Sequence, residues 1–215
     1  MFQERFEKVV QFFNTHHPDL LASARKEFFD TTGEVYEEDP FFEERIENYL
    51  EWAVLDRPCE GSLRPIDIYE RNFGPTLHGD DRETMHALVN RLNSLFEVRK
   101  IQPKETSVTL MDLADKTKYL VTERRSLLAL QKGHIIQVRL IQRGEKFHFL
   151  QAFVHHPEKA SAVIRKLMRQ YRKEEIEDIV PLLIALQRTW MQCQRYQHVP
   201  PSHFYGALSL DKIYG

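Results

Sequence analysis

Lysine and arginine side chains are concentrated in residues 91 to 173 of this sequence. That segment holds 18 Lys and Arg against 7 Asp and Glu, whereas residues 1 to 90 hold 9 against 20. Cations gathered on short strands and on the helix that follows them form an electrostatic footprint suited to phosphate groups. We therefore expect the segment to bind an anionic partner, either nucleic acid, which is the commonest, or an acidic protein surface. The candidate contacts are Arg124, Arg125, Arg139, Arg143, Lys146, Arg165, Lys166, Arg169 and Arg172.

The charge segregation has a second explanation. The acidic and basic parts offset each other closely, so they could meet within the chain or join copies head to tail in a homo-oligomer. The protein would then be an interaction or scaffold protein that recruits a partner through an apolar surface. Surface potential separates the two hypotheses, because the first needs a positive stripe that is left uncovered and the second a stripe masked by the acidic helices.

Histidine and phenylalanine are dense in the stretch KFHFLQAFVHHP, residues 146–157. A metal site needs three or four His, Cys, Asp or Glu side chains that converge. His148 alternates with two phenylalanines, and His155 and His156 are adjacent, so they face different ways on a strand. The pattern indicates a strand that ends at Pro157. We expect no metal and no cofactor.

Three carboxylates recur at helical spacing in the acidic part, at Glu43, Glu47 and Glu51. We interpret them as a solvated acidic face. The sequence contains no nucleophile elbow, P-loop or dinucleotide-binding glycine motif, and it has only eight glycines for phosphate-cradling loops. We therefore expect a non-enzymatic protein. An enzyme of unrecognised type is the third hypothesis, and it predicts a deep pocket with perturbed titratable groups.

Apolar residues recur at helical spacing through the first part of the chain. Phe2, Phe6 and Val9 begin this pattern, and Asp39 followed by Pro40 is typical of a helix start, with the aspartate as N-cap. The sequence predicts an acidic helical region over residues 1–95.

The period then changes from 3.6 to 2. Apolar and polar residues alternate in five short runs, which predicts a meander curled into a small five-stranded β-barrel or bent antiparallel sheet over residues 96–156. Lys and Arg would lie on its outer face, and its interior would hold Val138, Leu140, Phe147, Phe149 and Phe153. The runs are FEVRKI, SVTLMDL, KYLVT, HIIQVRLIQ and KFHFLQAFV.

Helical spacing returns after Pro157. Residues 157–215 are predicted to form C-terminal helices and a tail, pinned by Phe204, Tyr205 or Leu208, that pack back on the N-terminal region. The fold class is therefore predicted as α+β, with helices on both sides of the barrel.

The composition, with 42% hydrophobic and 29% charged residues, is that of a soluble globular protein. No stretch approaches a membrane span, and the first residues lack the apolar core of a secretory signal. Cys59 and Cys193 fit no zinc spacing and are expected to be reduced thiols. These features favour a cytoplasmic protein.

Three stretches resemble a class of uncharacterised bacterial proteins in which a helical segment with a Glu-Trp and an Asp-Arg pair precedes a small β-barrel. They are FFEERIENYLEWAVLDRP, SLRPIDIYERNFG and VTLMDLADKTKYLVTERRSLLALQKGHIIQVRLIQ, within residues 40–155. The resemblance implies a fold layout and a bacterial cytosolic setting, and no known activity. Some relatives end in a cysteine-rich SEC-C-like zinc segment, which this chain lacks. In EWAVLDRP we expect Trp52 and Leu55 to anchor the helix, while Asp56 and Arg57 pair with each other or with the barrel.

Overall fold

The computed structural model describes residues 2–123 and 126–215. The helices are α1 (Phe2–His16), α2 (Pro18–Thr32), α3 (Phe42–Leu55), α4 (Pro65–Phe73), α5 (Gly79–Val89), α6 (Ser161–Lys173), α7 (Val180–Arg195), α8 (Pro201–Gly206) and α9 (Leu210–Tyr214). The strands are β1 (Leu92–Gln102), β2 (Ser107–Asp112), β3 (Lys118–Thr122), β4 (Ile135–Arg143) and β5 (Lys146–His155). The predicted α+β class, with N-terminal helices, a five-stranded barrel and C-terminal helices, is confirmed.

The chain forms two compact units that are not contiguous in sequence. The first consists of Met1–Leu92, Leu140–Glu145 and Leu150–Ala152. The second consists of Asn93–Arg139, Lys146–Phe149 and Phe153–Gly215. Both units therefore draw on the β4–β5 hairpin.

The first unit is built around α1, which packs against α2, α3, α4 and α5. Its one-sided apolar pattern becomes a buried stripe that includes Val9 and Phe13. Phe28 of α2 and Leu88 of α5 are likewise buried. The helical periodicity in the sequence therefore identified this core correctly.

Helix α3 begins two residues later than the sequence predicts. The carboxylate of Asp39 accepts a hydrogen bond from the backbone N–H of Tyr36 at 2.9 Å, so it closes a turn before the helix. The N-cap position is taken by Phe41. The aspartate and the following proline thus form the approach to the helix and not its first turn.

The pairing of Asp56 and Arg57 at the end of α3 differs from the prediction. Trp52 and Leu55 are buried as expected. Asp56, however, accepts hydrogen bonds from the guanidinium of Arg91 at 2.5 and 3.2 Å. Arg57 donates to Glu27 at 2.7 Å. The two residues therefore pair with different partners and not with each other.

The barrel strands are those predicted, but their order is not a meander. β1 pairs with β2, and β2 with β3, both antiparallel. β5 then lies beside β3, with a parallel contact between Val121 and Phe147, and β4 completes the barrel in the order β1-β2-β3-β5-β4. This is the strand order of OB-type barrels, in which the connection after β3 crosses to bring β4 beside β1.

Burial in the barrel follows the predicted alternation only in part. Val138, Leu140 and Phe149 are buried as predicted, while Phe147 and Phe153 are half-buried. β4 is buried on both faces over its first seven residues. Arg139 in this stretch is only 2% exposed, so the prediction that it is an accessible contact for an anion is wrong.

The core of the second unit joins the barrel to the C-terminal helices. Ile135 of β4 and Leu95 of β1 share one apolar cluster with Ile164 and Met168 of α6. The tail forms α8 and α9, and the predicted anchor Tyr205 is fully buried in this cluster. Packing of α6 on the barrel fixes which face of α6 remains accessible.

Candidate nucleic-acid interface

One side of α6 carries a row of arginines. Arg165, Arg169 and Arg172 follow one another at spacings of four and three residues, so they lie on one face of the helix. Ile164, Met168 and Tyr171 form the buried side. Burial of that apolar side therefore directs the arginine row to the edge of the helix and outward.

The two outer arginines of this row are held by the barrel. Arg165 lies 3.4 Å from the carboxylate of Glu97 on β1 and also donates to the backbone oxygen of Gly133 at 3.3 Å. Arg172 donates to the backbone oxygen of Leu113, just after β2. Arg169 lies between them and is exposed. The anchored arginines thus fix the position of the row, and Arg169 remains accessible.

Two further cations approach the row from the barrel. Arg99 lies where the register of β1 against β2 shifts, and its guanidinium is 3.1 Å from Glu97. Lys116 is in the turn between β2 and β3, at a positive φ of 72°. We refer to Arg99, Lys116, Arg165, Arg169 and Arg172 as the cationic cluster.

The electrostatics of Lys116 show that the cluster converges. Partial burial lowers the pKa of its ammonium group below the ordinary value, and the positive charges of Arg172, Arg99 and Arg165 lower it further. The carboxylate of Glu97 opposes this effect. Cations that repel one another in this way form a site that an external anion stabilises.

The outer face of β2 and β3 borders the cluster. Cross-strand pairs on this face join Thr109 to Leu120 and Met111 to Lys118. Leu120 is 56% exposed, which is unusual for a large apolar side chain. Met111 also lies in register with Glu97 of β1, so this face is continuous with the carboxylate beside the arginine row.

The sequence-predicted contacts divide into three groups. Arg165, Lys166, Arg169 and Arg172 all lie on α6, and Lys146 is exposed at the start of β5. Arg139 is buried, and Arg143 pairs with Asp80 at 2.7 Å in the first unit. Arg124 and Arg125 lie outside the described residues. The α6 arginines are therefore the part of the prediction that the structure brings together.

A family model covers most of the chain. Residues 10–179 match the family of unknown function DUF7986. The chain belongs to this family. Comparison with characterised proteins and with solved structures gave no significant match. The residues matched to DUF7986 span α2 to α6 in full, so the matched region of this chain contains both the barrel and the arginine row.

This DUF7986 member also has a cavity of about 350 Å³ in its first unit. Glu47 and Glu51 of α3 both contribute to its wall, and because Glu51 is buried, the expectation of a solvated acidic face is wrong for Glu51. Glu51 is 1% exposed and accepts hydrogen bonds from the backbone N–H groups of Gln151 and Ala152 at 2.9 and 2.8 Å. The spacing of α3 identified the shared face, but the partners of Glu51 are a hundred residues away in the sequence.

One histidine of the KFHFLQAFVHHP stretch is buried in the DUF7986 chain. His156 is buried, and its Nδ1 lies 2.7 Å from the hydroxyl of Tyr205. Burial, with a smaller contribution from His155, lowers the pKa of His156 to about 3. Within residues 2–123 and 126–215, no group of three or more His, Cys, Asp or Glu side chains could hold a metal ion. Both Cys59 and Cys193 are free thiols.

Arg99 and Lys116 are the functional candidates that the predicted contact set omits. The sequence gives little sign of them, because one lies at a strand irregularity and the other in a turn. Their charge and their place beside an alternating strand were visible, but their approach to α6 depends on packing.

No helix in the described part of the chain is long and apolar enough to cross a lipid bilayer.

Proposed function

We propose that this protein binds nucleic acid through the cationic cluster, as a binding protein and not as an enzyme. The observation that carries the proposal is the arginine row of α6, which lies beside Arg99 at Glu97 and beside the turn that holds Lys116. Burial lowers the pKa of the Lys116 ammonium group, and the charges of Arg172, Arg99 and Arg165 lower it further. Phosphate groups supply the negative charge that such a cluster lacks. From the sequence resemblance we also propose a bacterial cytosolic setting.

The chemistry of the site favours contacts to the nucleic-acid backbone. Arginine and lysine pair with phosphate oxygens without reading the base sequence. Two tyrosines that could stack on bases are engaged elsewhere, because Tyr171 is 4% exposed and the ring of Tyr119 packs edge-to-face on Phe147 with ring centroids 4.9 Å apart. We therefore expect binding that is largely independent of sequence.

The structure of the barrel favours single-stranded nucleic acid as the ligand. OB-type barrels bind oligonucleotides on the face of strands β2 and β3. The exposed Leu120 on this face offers an apolar contact for a base, and Lys118 and the cationic cluster border it. Strand order alone does not establish function, so the argument depends on these side chains.

The test is fluorescence anisotropy with labelled 20-nucleotide single strands of DNA and RNA and with the matching duplex. With five phosphate contacts to a single strand, the logarithm of affinity should fall with the logarithm of salt concentration at a slope of about −3.5. Affinity should therefore drop about a hundredfold between 50 and 200 mM salt.

The informative variant is Lys116→Glu combined with Arg169→Glu. These side chains are exposed, whereas Arg165 holds the contact to Glu97, so reversing their charge leaves that contact in place. We expect at least a tenfold loss of affinity and a shallower salt slope. Arg188→Glu changes an exposed arginine of α7 and serves as the charge control. Equal losses in both variants, or no binding at 50 mM salt, would contradict the proposal and favour an acidic protein surface or the offsetting charges of a scaffold protein.

A further inference from the structure

The cavity in the first unit has an apolar wall, and its polar lining residues are neutral amides or acids. Phe6, Val10 and Leu50 form the apolar part. Amide side chains and carboxylates form the rest, and the described residues that line the cavity include no Lys, Arg or His. The polar lining residues are Gln3, Glu7, Gln11, Asn14, Glu47, Glu51 and Gln151.

Glu51 places a carboxylate at a fixed position in the cavity wall. It accepts hydrogen bonds from two backbone N–H groups of β5. α3 and β5 therefore hold the carboxylate in one place. A group that is already fixed in position loses no freedom when a ligand binds beside it.

Glu47 provides the second carboxylate of the cavity wall. No hydrogen bond or ion pair joins it to another residue of the described chain. Burial, together with the nearby carboxylates of Glu51, Glu44 and Glu43, raises the pKa of Glu47 to about 7. Glu47 and Glu51 lie one helical turn apart, so a cation that binds beside Glu47 reduces the repulsion between the two carboxylates.

The first unit as a whole attracts cations. Residues 1–92, 140–145 and 150–152 hold 11 Lys and Arg against 21 Asp and Glu. A net charge of this sign raises the local concentration of cationic ligands and speeds their association.

We propose that the cavity binds a small organic cation, in which an ammonium or guanidinium group is carried on a short aliphatic stem. The cationic group would pair with the carboxylate of Glu47, beside the covered carboxylate of Glu51. The stem would pack on Phe6, Val10 and Leu50, and the amide side chains at the rim would accept hydrogen bonds from a second amino group. A cavity of about 350 Å³ is at the small end of ligand-binding sites and suits a molecule of this size.

The ligand is tested with agmatine, which carries a guanidinium and an amino group on a four-carbon stem. Isothermal titration of the full chain at pH 8 and low salt should show one site. Val10 and Leu50 methyl resonances should shift on binding, which locates the ligand. 1,6-Hexanediol, a neutral molecule of similar length, should not bind.

Two α3 variants distinguish binding of agmatine in the cavity from its general attraction to an acidic surface. Glu47→Gln keeps the size of the side chain and removes its charge, so agmatine should bind at least tenfold more weakly. Glu43→Gln makes the same change at an exposed position outside the cavity lining and should leave affinity within twofold. Equal weakening in both variants would overturn the proposal, as would binding of hexanediol or a failure of agmatine to bind.

The pH dependence of agmatine binding provides a second test of the same site. The charged groups around Glu47 are Glu43, Glu44 and Glu51 of its own helix and Glu7 of α1, and the β5 residue in the lining, Gln151, is neutral. Because Glu47 must be ionised, agmatine should bind about tenfold more weakly at pH 6 than at pH 8, and Glu47→Gln should remove most of this difference. A blocked Gly-Arg-Gly peptide that binds more tightly than agmatine would overturn the assignment to a free small molecule.

Discussion

The guanidinium of Arg165 lies 3.4 Å from the carboxylate of Glu97, which also receives Arg99 at 3.1 Å. Glu97 is 8% exposed, so this carboxylate is nearly covered by the cations around it. It holds two arginines of the cationic cluster in place, and it also offsets part of their charge. Glu97 therefore has opposite effects on geometry and on attraction for an anion.

Glu97→Gln should strengthen nucleic-acid binding. The amide oxygen can still accept hydrogen bonds from Arg165 and Arg99, while the negative charge that repels phosphate is removed. We expect an increase in affinity of about threefold to fivefold at low salt. Anisotropy titrations measure it, with Glu158→Gln, an exposed position before α6, as the control. A loss of affinity would show that the full charge of Glu97 is needed to hold the arginines.

Arg91→Ala should destabilise the protein. Its guanidinium is the partner of Asp56, whose side chain is only 1% exposed, so the variant leaves a buried carboxylate without this cation. The expected loss is about 3 kcal/mol in the free energy of unfolding, measured by denaturation in urea. The double variant with Asp56→Asn should lose less than the sum of the two single losses. Additive losses would mean that the pair has no coupling energy.

Stability should fall as the pH decreases from 7 to 5. His156 has a native pKa of about 3, whereas an unfolded histidine has a pKa of about 6.5. The neutral form is therefore favoured in the fold, so its contribution is complete above pH 6.5 and is lost as the pH falls towards 3. The loss attributable to His156 should approach 2 kcal/mol at pH 5. In His156→Phe, urea denaturation should show a smaller difference between pH 7 and pH 5. An unchanged difference would assign the acid sensitivity to other groups.

Glu51→Ala should loosen the β5 segment that Glu51 holds. The backbone N–H groups of Gln151 and Ala152 lose their acceptor, and the free energy of unfolding should fall by about 3 kcal/mol. Hydrogen exchange at these two amides should accelerate more than exchange elsewhere in the first unit. Glu51→Gln retains an oxygen acceptor and should keep most of the protection. Unchanged exchange in Glu51→Ala would show that other groups hold the segment.

The sequence predicts the elements of this fold better than their arrangement. Alternation of apolar and polar residues identifies all the barrel strands, because each strand has its own period. It carries no information on which strands are neighbours, so the parallel contact of Val121 with Phe147 was missed. Arg139 was expected to be accessible, but β4 is covered on both sides, and alternation within one strand does not show whether its outer face is covered.

In the candidate site, too, the sequence predicts the local features and not the long-range contacts. The arginine row of α6 follows from helical spacing, which is a local property. Arg99 and Lys116 join the row only through the packing of α6 on the barrel, and Glu51 is buried because its donors lie on β5. Interactions between residues that are distant in the sequence leave no periodic pattern, so a single sequence does not predict them.

The discontinuous first unit has a consequence for synthesis on the ribosome. Its helices are complete by residue 92, but the segments Leu140–Glu145 and Leu150–Ala152 that belong to the same unit are translated later. At about 5–20 residues per second, the backbone N–H groups that donate to Glu51 are synthesised several seconds after the helices. During this interval the Glu51 carboxylate lacks these two donors. The first unit is therefore completed only after the β4–β5 hairpin has been synthesised.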